Sequence, residues 1–435
     1  MAEVSPKRPE PSEASRPDKT AGTRHRFRLV LPCCGLVAVA NTVAQVDREY
    51  FARTQPYPVY DNQGTAPYNL KIGKLTARLS ANVQSEFNDN INLSEHNPIA
   101  DFSIGPFASV GFLWPVTRNH LIQMDVGVGY RWYVNNPSVS SISVAPNTHL
   151  DYTIYIDDVR VSFYDRFSIQ VDPIDNGQLS GATGPLTQFR RLVNTAGFGL
   201  DYQATRELSL IGGYGYTMDR SLTGSFTYLD DNIHNFYTGF NYALTPKVKA
   251  GILGSYSIIR YQDTVQNDGE NYSVGPTLSI RLSQFITATA SAGYTVGSYQ
   301  HTGSILDESN FSGPTYSVGL DHVVNRRTTE YLRVGESLGT GVGSNYATTL
   351  TAQYGLNTSL SRGITLHGMV SFEDVKSSGN PGERAQRYLI YLGTGYQFTR
   401  YWSAGISYSF GLRDSDLAGH DYVQNRVTLD VTRRF

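Results

Sequence analysis

Cysteine is almost absent. The 435 residues hold two, Cys33 and Cys34, and both fall in an apolar stretch near the N-terminus that reads as an export signal. The exported chain would carry no thiol, which excludes a disulfide scaffold and a thiolate metal site. Long apolar runs are also missing. The longest, residues 29–40, has twelve residues, whereas a helix needs about 20 to cross a bilayer. Charge is scarce: Asp, Glu, Lys and Arg make up 17% of the chain, against about 25% in ordinary soluble domains. It is also balanced, with 36 Lys/Arg against 38 Asp/Glu and a net charge of −2. No basic excess offers itself to a nucleic acid. A mean hydropathy of −0.31 excludes a bundle of membrane helices, but not a sheet that is oily on one face only.

What is plentiful is tyrosine (30), phenylalanine (19) and glycine (41), and much of it sits in alternating runs. At the C-terminus, Val423, Val427, Leu429, Val431 and Phe435 share one parity, and Gln424, Arg426, Thr428, Asp430, Thr432 and Arg434 share the other. Alternate side chains of a strand point to opposite faces, so this strand has one apolar face and one polar, charged face. Residues 74–84, 122–134, 272–283 and 402–413 repeat the pattern. Each reaches the roughly 9–11 residues of a tilted membrane strand, twice the usual length of a soluble strand.

Short polar turns recur at residues 117–119, 165–166, 204–207, 245–247, 283–285, 325–327, 361–363 and 399–401. Longer connections rich in Asp, Asn, Gly, Ser and Pro fall at residues 87–100, 135–148, 173–190, 222–232 and 262–270. Short turns on one side and long loops on the other describe an up-and-down barrel with periplasmic turns and outer loops. Eight turns join sixteen strands, and one strand at either end makes eighteen. Two places leave sixteen as the alternative count. Parity slips near Asp157 and Asp158, read as a bulge, and Glu330 and Glu336 share a face with Leu332 and Val334. The expected fold is thus an all-β, transmembrane, antiparallel barrel over residues 71–435. A propeller would suit the spacing, but its core strands are buried on both faces, and here one face is polar throughout. Trp114 and Trp402 lie beside short turns and Trp132 at the far end of its strand, where interface aromatics of such barrels sit.

The N-terminal part divides differently. Residues 1–23 are polar and aperiodic, a disordered extension. Residues 24–44 have a basic start, the apolar run and small residues before Gln45, the three parts of a signal peptide. Residues 45–70, rich in proline, read as a short periplasmic leader. The expected destination is the cell outer membrane.

At Glu86-Phe-Asn-Asp-Asn-Ile91, Asp101-Phe102-Ser103 and Asp165-Arg166-Phe167 followed by Asp172-Pro173, the chain resembles the β-barrel porins of the "porin 2" type. These are outer-membrane proteins of Gram-negative bacteria, some found beside exopolysaccharide export genes. The resemblance implies an outer-membrane barrel and supplies no catalytic residues. A terminal Phe435 after Val431, Leu429 and Val427 similarly resembles the C-terminal assembly signal of such barrels, although Arg433 stands where an apolar residue is usual.

The residues expected to carry function face the lumen: Lys74, Arg78, Asp125, Arg131, Lys249, Arg281, Glu373, Arg426, Asp430 and Arg434. Charge on the lipid side is costly, and lumen charge tunes selectivity. This set is modestly positive, a hint of anion preference; a lattice of ion pairs bracing the wall is the competing reading. His367 alternates with Thr365 and Met369 and reads as a pore-lining side chain. The glycines at 127 and 129 and at 339, 341 and 343 lack the strand-to-helix setting of a phosphate loop and read as room on a crowded inner face. Acidic loop residues 230–231 and 263–268 read as turn formers. No cofactor, metal or catalytic group is expected. The first function to consider is a channel for passive diffusion of small hydrophilic solutes or ions. A gated barrel assisting exopolysaccharide export and, further off, an outer-membrane enzyme are the alternatives. Expected partners are outer-membrane lipid, lipopolysaccharide and the barrel-assembly machinery, with a homo-oligomer and export components possible.

Overall fold

The computed structural model describes residues 70–145, 148–170, 190–361, 363–379 and 382–435. The expected extension, signal peptide and nearly all of the leader lie outside the described residues, as does most of the connection at 173–190. Twenty strands form one antiparallel sheet. They are β1 (Leu70–Ile72), β2 (Leu75–Asn88), β3 (Asp101–Pro115), β4 (His120–Tyr133), β5 (Ser141–Val144), β6 (His149–Ile156), β7 (Val159–Gln170), β8 (Arg191–Gln203), β9 (Leu208–Ser221) and β10 (Asp231–Thr245). The second half adds β11 (Val248–Tyr261), β12 (Gly269–Arg281), β13 (Ile286–Tyr299), β14 (Phe311–Asn325), β15 (Thr328–Thr340), β16 (Tyr346–Ser361), β17 (Ile364–Ser377), β18 (Arg384–Gln397), β19 (Trp402–Ser415) and β20 (Tyr422–Arg434).

Apart from β5 and β6, each strand pairs with its neighbour in sequence, and β2 pairs with β20 from Ser80↔Arg434 to Asn88↔Arg426, which closes the sheet. β5 and β6 share one place in the wall. β4 pairs with β5 at its loop end (Arg131↔Ser141) and with β6 at its turn end (Asp125↔His149). β1 is a hairpin arm against Leu75–Ala77 of β2, on the stretch of that edge that β20 does not reach. The wall therefore has eighteen strand positions, and a closed barrel leaves no unpaired edge for lipid to meet.

The two faces follow parity around the ring. Large apolar side chains such as Leu429, Val274 and Leu392 are more than half exposed, while polar residues one position away, such as Thr295 and Gln424, are buried. In a closed barrel the exposed apolar face is the outer one. Trp114, Trp132 and Trp402 are all on it, 41–48% exposed, as are Val427, Leu429, Val431 and Phe435. Glu330 also points outward, next to a short turn, where it meets His322 and Tyr354.

One turn is not where the sequence suggested. Asp165 and Arg166 lie inside β7, paired with Ala196 and Thr195 of β8. The turn is at Asp157–Asp158, where Asp157 takes a positive φ of 49°. The run Asp165-Arg166 reads as a turn because it is polar on both faces: Arg166 points inward, and Asp165 points outward, accepting a hydrogen bond from Asn194 at 2.7 Å. The connection expected at 135–148 is likewise shorter, because Ser141–Val144 is strand. Gly127 of β4 stands between the residues that pair with β5 and those that pair with β6. The Gly127 amide donates to Thr148 Oγ1 and its carbonyl accepts from the Ala145 amide. A Cβ on Gly127 would come within 2.8 Å of the Ala145 Cβ.

Inner-face rings rest on glycines. Phe107, Tyr164, Tyr237 and Tyr331 lie directly opposite Gly129, Gly197, Gly213 and Gly355 on adjacent strands. A Cβ on Gly129 would sit 2.3 Å from the Phe107 ring, and one on Gly355 2.2 Å from the Tyr331 ring. The missing side chain lets the ring lie against the neighbouring backbone, which fills the space a glycine leaves in a strand.

At the loop end, four connections are stitched together by buried polar groups. Asp307, in the loop 300–310, accepts hydrogen bonds from the Asn345 amide, the Ser309 amide and the Ser378 hydroxyl. Asn345 and Asn267 both donate to the Asp307 carbonyl, at 2.9 and 3.1 Å. The neighbouring Gln266 donates to the Gly341 carbonyl. The loops at 262–268, 341–345 and 378–383 thus converge on one residue, Asp307. Burial opposes ionisation of its carboxyl, but the donors outweigh burial and hold the Asp307 carboxyl below the usual carboxylate range.

Two outcomes follow. Gly129→Val forces the Phe107 ring off the wall at a cost of about 1–3 kcal/mol, read as a lowered urea midpoint of the vesicle-folded barrel, and adding Phe107→Ala recovers part of it. A lowered carboxyl pKa stabilises the loop network above the unfolded value of about 4 and stops doing so as pH falls through the folded value. Protection factors of the four loops, taken relative to intrinsic exchange, should be high at pH 7 and should fall once the pH drops below the usual carboxylate range. Asp307→Asn should cost about 2 kcal/mol locally, a roughly thirtyfold loss of protection at pH 7.

Candidate functional site

The inner face of the wall is the one large polar surface that the fold sets apart from lipid. Nine of the ten lumen candidates share the inward parity of their strands: Arg78, Asp125, Arg131, Lys249, Arg281, Glu373, Arg426, Asp430 and Arg434. Lys74 does not, because it occupies the turn between β1 and β2, exposed at the short-turn rim.

Most of these charges are engaged. Arg78 and Asp125 form an ion pair across β3, directly above Gly111, where a Cβ would strike the Asp125 carboxylate. Arg131 reaches Glu86 and Gln84, both at 3.2 Å. Glu373 pairs with Arg387, its direct cross-strand partner. Arg426 donates to Ser409. Arg281 differs: it is exposed and forms no ion pair among the described residues.

Sequence reasoning missed more inward charges than it found. Arg160–Asp201 at 2.9 Å, Arg191–Asp219 and Arg333–Asp321 also brace the inner wall. Asp151 stands beside His149 and Arg166. Arg160 and Arg166 were hidden by the misplaced turn, and Arg333 by the outward glutamates of its strand. With the parity of all eighteen positions known, the inner face carries twelve Lys/Arg and ten Asp/Glu. The first set, with seven Lys/Arg against three Asp/Glu, has an excess of four, which narrows to an excess of two over the whole inner face. Between β10 and β14 the mid-wall is instead neutral and hydroxyl-rich, with Thr295 bonded to Ser273 and Thr315 and Ser291 to Ser317.

Histidines and acidic loops take structural roles. His367 faces inward and pairs with Asn357 at 2.7 Å. His234, on the outer face, pairs with Tyr214 at 2.8 Å. Asp230 accepts from the Ser221 amide and Asp268 from the Tyr261 amide, while Asp263 caps the adjacent Thr264 amide. At the loop end, Glu383 is buried with Arg413, Ser415 and His420 around one oxygen. Burial alone would raise its pKa, but Ser415, Arg413 and His420 together bring it below the usual value.

No family model matches the chain, and no curated protein matches it. Among solved structures, the chain is similar to a BenF-like porin from Pseudomonas fluorescens Pf-5, with 11% identity, a TM-score of 0.48, and coverage of 82% of this chain and 99% of that one. It is also similar to the outer membrane protein OpdK from Pseudomonas aeruginosa, at 10% identity and a TM-score of 0.47, covering 82% and 99%. Pseudomonas aeruginosa OccK2 (OpdF), solved in complex with glucuronate, gives 10% and 0.47 over 85% and 100%. Likenesses of this order add nothing to the assignment of the barrel, which stands on its own strand pairing.

Proposed function

We propose that the chain forms a channel in the cell outer membrane for passive diffusion of small hydrophilic solutes or ions. The observation that carries the reading is the closed ring of eighteen strand positions with apolar side chains outside and polar, paired charges inside. A wall of that kind is suited to separating lipid from water. Residues 24–44 serve as the signal peptide, residues 1–23 as a disordered extension and residues 45–70 as a short periplasmic leader. Val427, Leu429, Val431 and Phe435 present the outward face of the last strand to the barrel-assembly machinery. Trp114, Trp132 and Trp402 anchor the wall at the two lipid–water interfaces, in contact with lipid and lipopolysaccharide. Inward charges tune conduction, with Arg281 the foremost because among the described residues no acidic partner neutralises it. We propose no catalytic role, cofactor or metal, and we place the chain with the β-barrel porins of the "porin 2" type. One specific observation favours a second reading, a gated barrel that assists exopolysaccharide export, alone or as a homo-oligomer. Four loops are locked together at one sector of the loop end, as a fixed gate frame would be.

Planar-bilayer recording of the detergent-folded protein tests this directly. Stepwise, stable openings support the diffusion channel, whereas a folded but silent barrel rejects it in favour of the gated one. Arg281→Glu should shift the reversal potential in a salt gradient towards cations, by about twofold in permeability ratio. Arg131→Glu is expected to lower the folded yield instead, because it leaves the buried Glu86 facing a like charge.

A further inference from the structure

The inner wall is nearly neutral, but the two ends of the barrel are not. Among the described residues, the short turns carry seven exposed Lys/Arg, among them Arg118, Arg206, Lys247, Arg326, Arg327 and Arg400, against three acids, Asp157, Asp158 and Glu207. The described residues of the long loops carry ten Asp/Glu against a single basic residue, Arg190. Exposed members of the acidic set include Glu95, Asp263, Glu308 and Asp416. Ion pairing does not erase this polarity. Where strand-end arginines meet loop acids, as in Arg413–Glu383 and Arg260–Asp268, acidic strand ends such as Asp219, Asp231 and Glu270 restore the balance.

We infer that the channel is polarised along its axis and rectifies ionic current, with cations gathered at the loop mouth and anions at the turn mouth. The inference rests on the open-channel reading above. Fixed charge at a mouth raises the local concentration of the opposite ion. When the loop side is positive, cations move in from the acidic mouth and anions from the basic mouth, so both carriers are drawn from enriched ends. With the voltage reversed, each carrier must come through the mouth that repels it, and the lumen is depleted. Cationic and zwitterionic solutes presenting an amine would be concentrated at the outer mouth by the same field. Because the responsible charges are solvent-exposed, salt controls the effect: the screening length is about 30 Å at 0.01 M and about 3 Å at 1 M.

The test is the current–voltage curve of single channels, unaltered except for an orientation tag, at both salt concentrations. Orientation is fixed by a hexahistidine inserted at Leu306, which is 97% exposed in its loop, and by Ni²⁺ added to one chamber. The expected current ratio between opposite voltages is about twofold at 0.01 M, larger with the loop side positive, and near one at 1 M. Two triple variants separate the ends. Arg118→Gln/Arg326→Gln/Arg327→Gln and Glu95→Gln/Asp263→Asn/Glu308→Gln should each bring the low-salt ratio towards one. A symmetric curve at low salt, a ratio of the opposite sense, or a ratio unchanged by salt and by both variants would overturn the inference while leaving the channel reading intact. A silent barrel would remove both.

Discussion

Everything in this chain depends on hydrogen bonding of the backbone where no water can reach it. An unpaired peptide group in hydrocarbon costs several kcal/mol, so the sheet must close on itself. The closure is made by the first and last wall strands, 350 residues apart at the Asn82–Thr432 contact. The Phe435 amide extends the closure by donating to the Leu79 carbonyl at 3.0 Å, while the Arg434 amide bonds on the other side of β20, to the Tyr401 carbonyl beside β19, at 2.7 Å. Where β20 ends, the short arm β1 takes over the edge of β2.

Closure makes the wall one residue thick and removes the conventional core. The described residues hold one small apolar cluster of the usual kind, Leu229 with Phe226, Tyr228 and Val342, and it sits in the loops. What packs the wall instead is the inner face, where bulky and absent side chains alternate: rings over glycines, and the Arg78–Asp125 bridge over Gly111. Burying a charge is tolerated there because a partner stands opposite or two strands away. Hydroxyl and amide groups satisfy one another along the neutral sector between β10 and β14.

Much of this was legible because a strand's period of two is written into the sequence wherever one face meets lipid. The fold and the inward parity of nine lumen candidates followed from alternation, and seven of the eight short turns and the count of eighteen, with sixteen as its alternative, from the spacing of polar turns between the alternating runs. It failed where the rule is broken locally. Asp165 on the outer face beside Asn194 made a strand look like a turn, and the polar pair at the true turn, Asp157 and Asp158, looked like a bulge. Lys74 fitted the alternation but belongs to the turn that starts it. The partners of the inward charges could not be read at all. Arg387 meets Glu373 and Arg160 meets Asp201 through cross-strand register, and a one-residue slip, invisible in sequence, would separate them. Nor do loop residues alternate, so no period announces that loops 38 residues apart at Asp307 and Asn345 share hydrogen bonds.

The same geometry decides which charges can be felt at a distance. Along the wall, opposite charges stand within about 3–4 Å of each other, and their fields cancel over a few ångströms. At the two rims the signs are separated by the full length of the strands. β16, at sixteen residues, spans about 50 Å before tilt, far beyond any screening length at ordinary salt. The rims therefore act as independent electrodes, each felt only near its own mouth. Radial pairing nearly neutralises the inner wall while axial separation leaves the two rims charged, so that, Arg281 apart, the net charge of the described barrel is concentrated in its turns and loops.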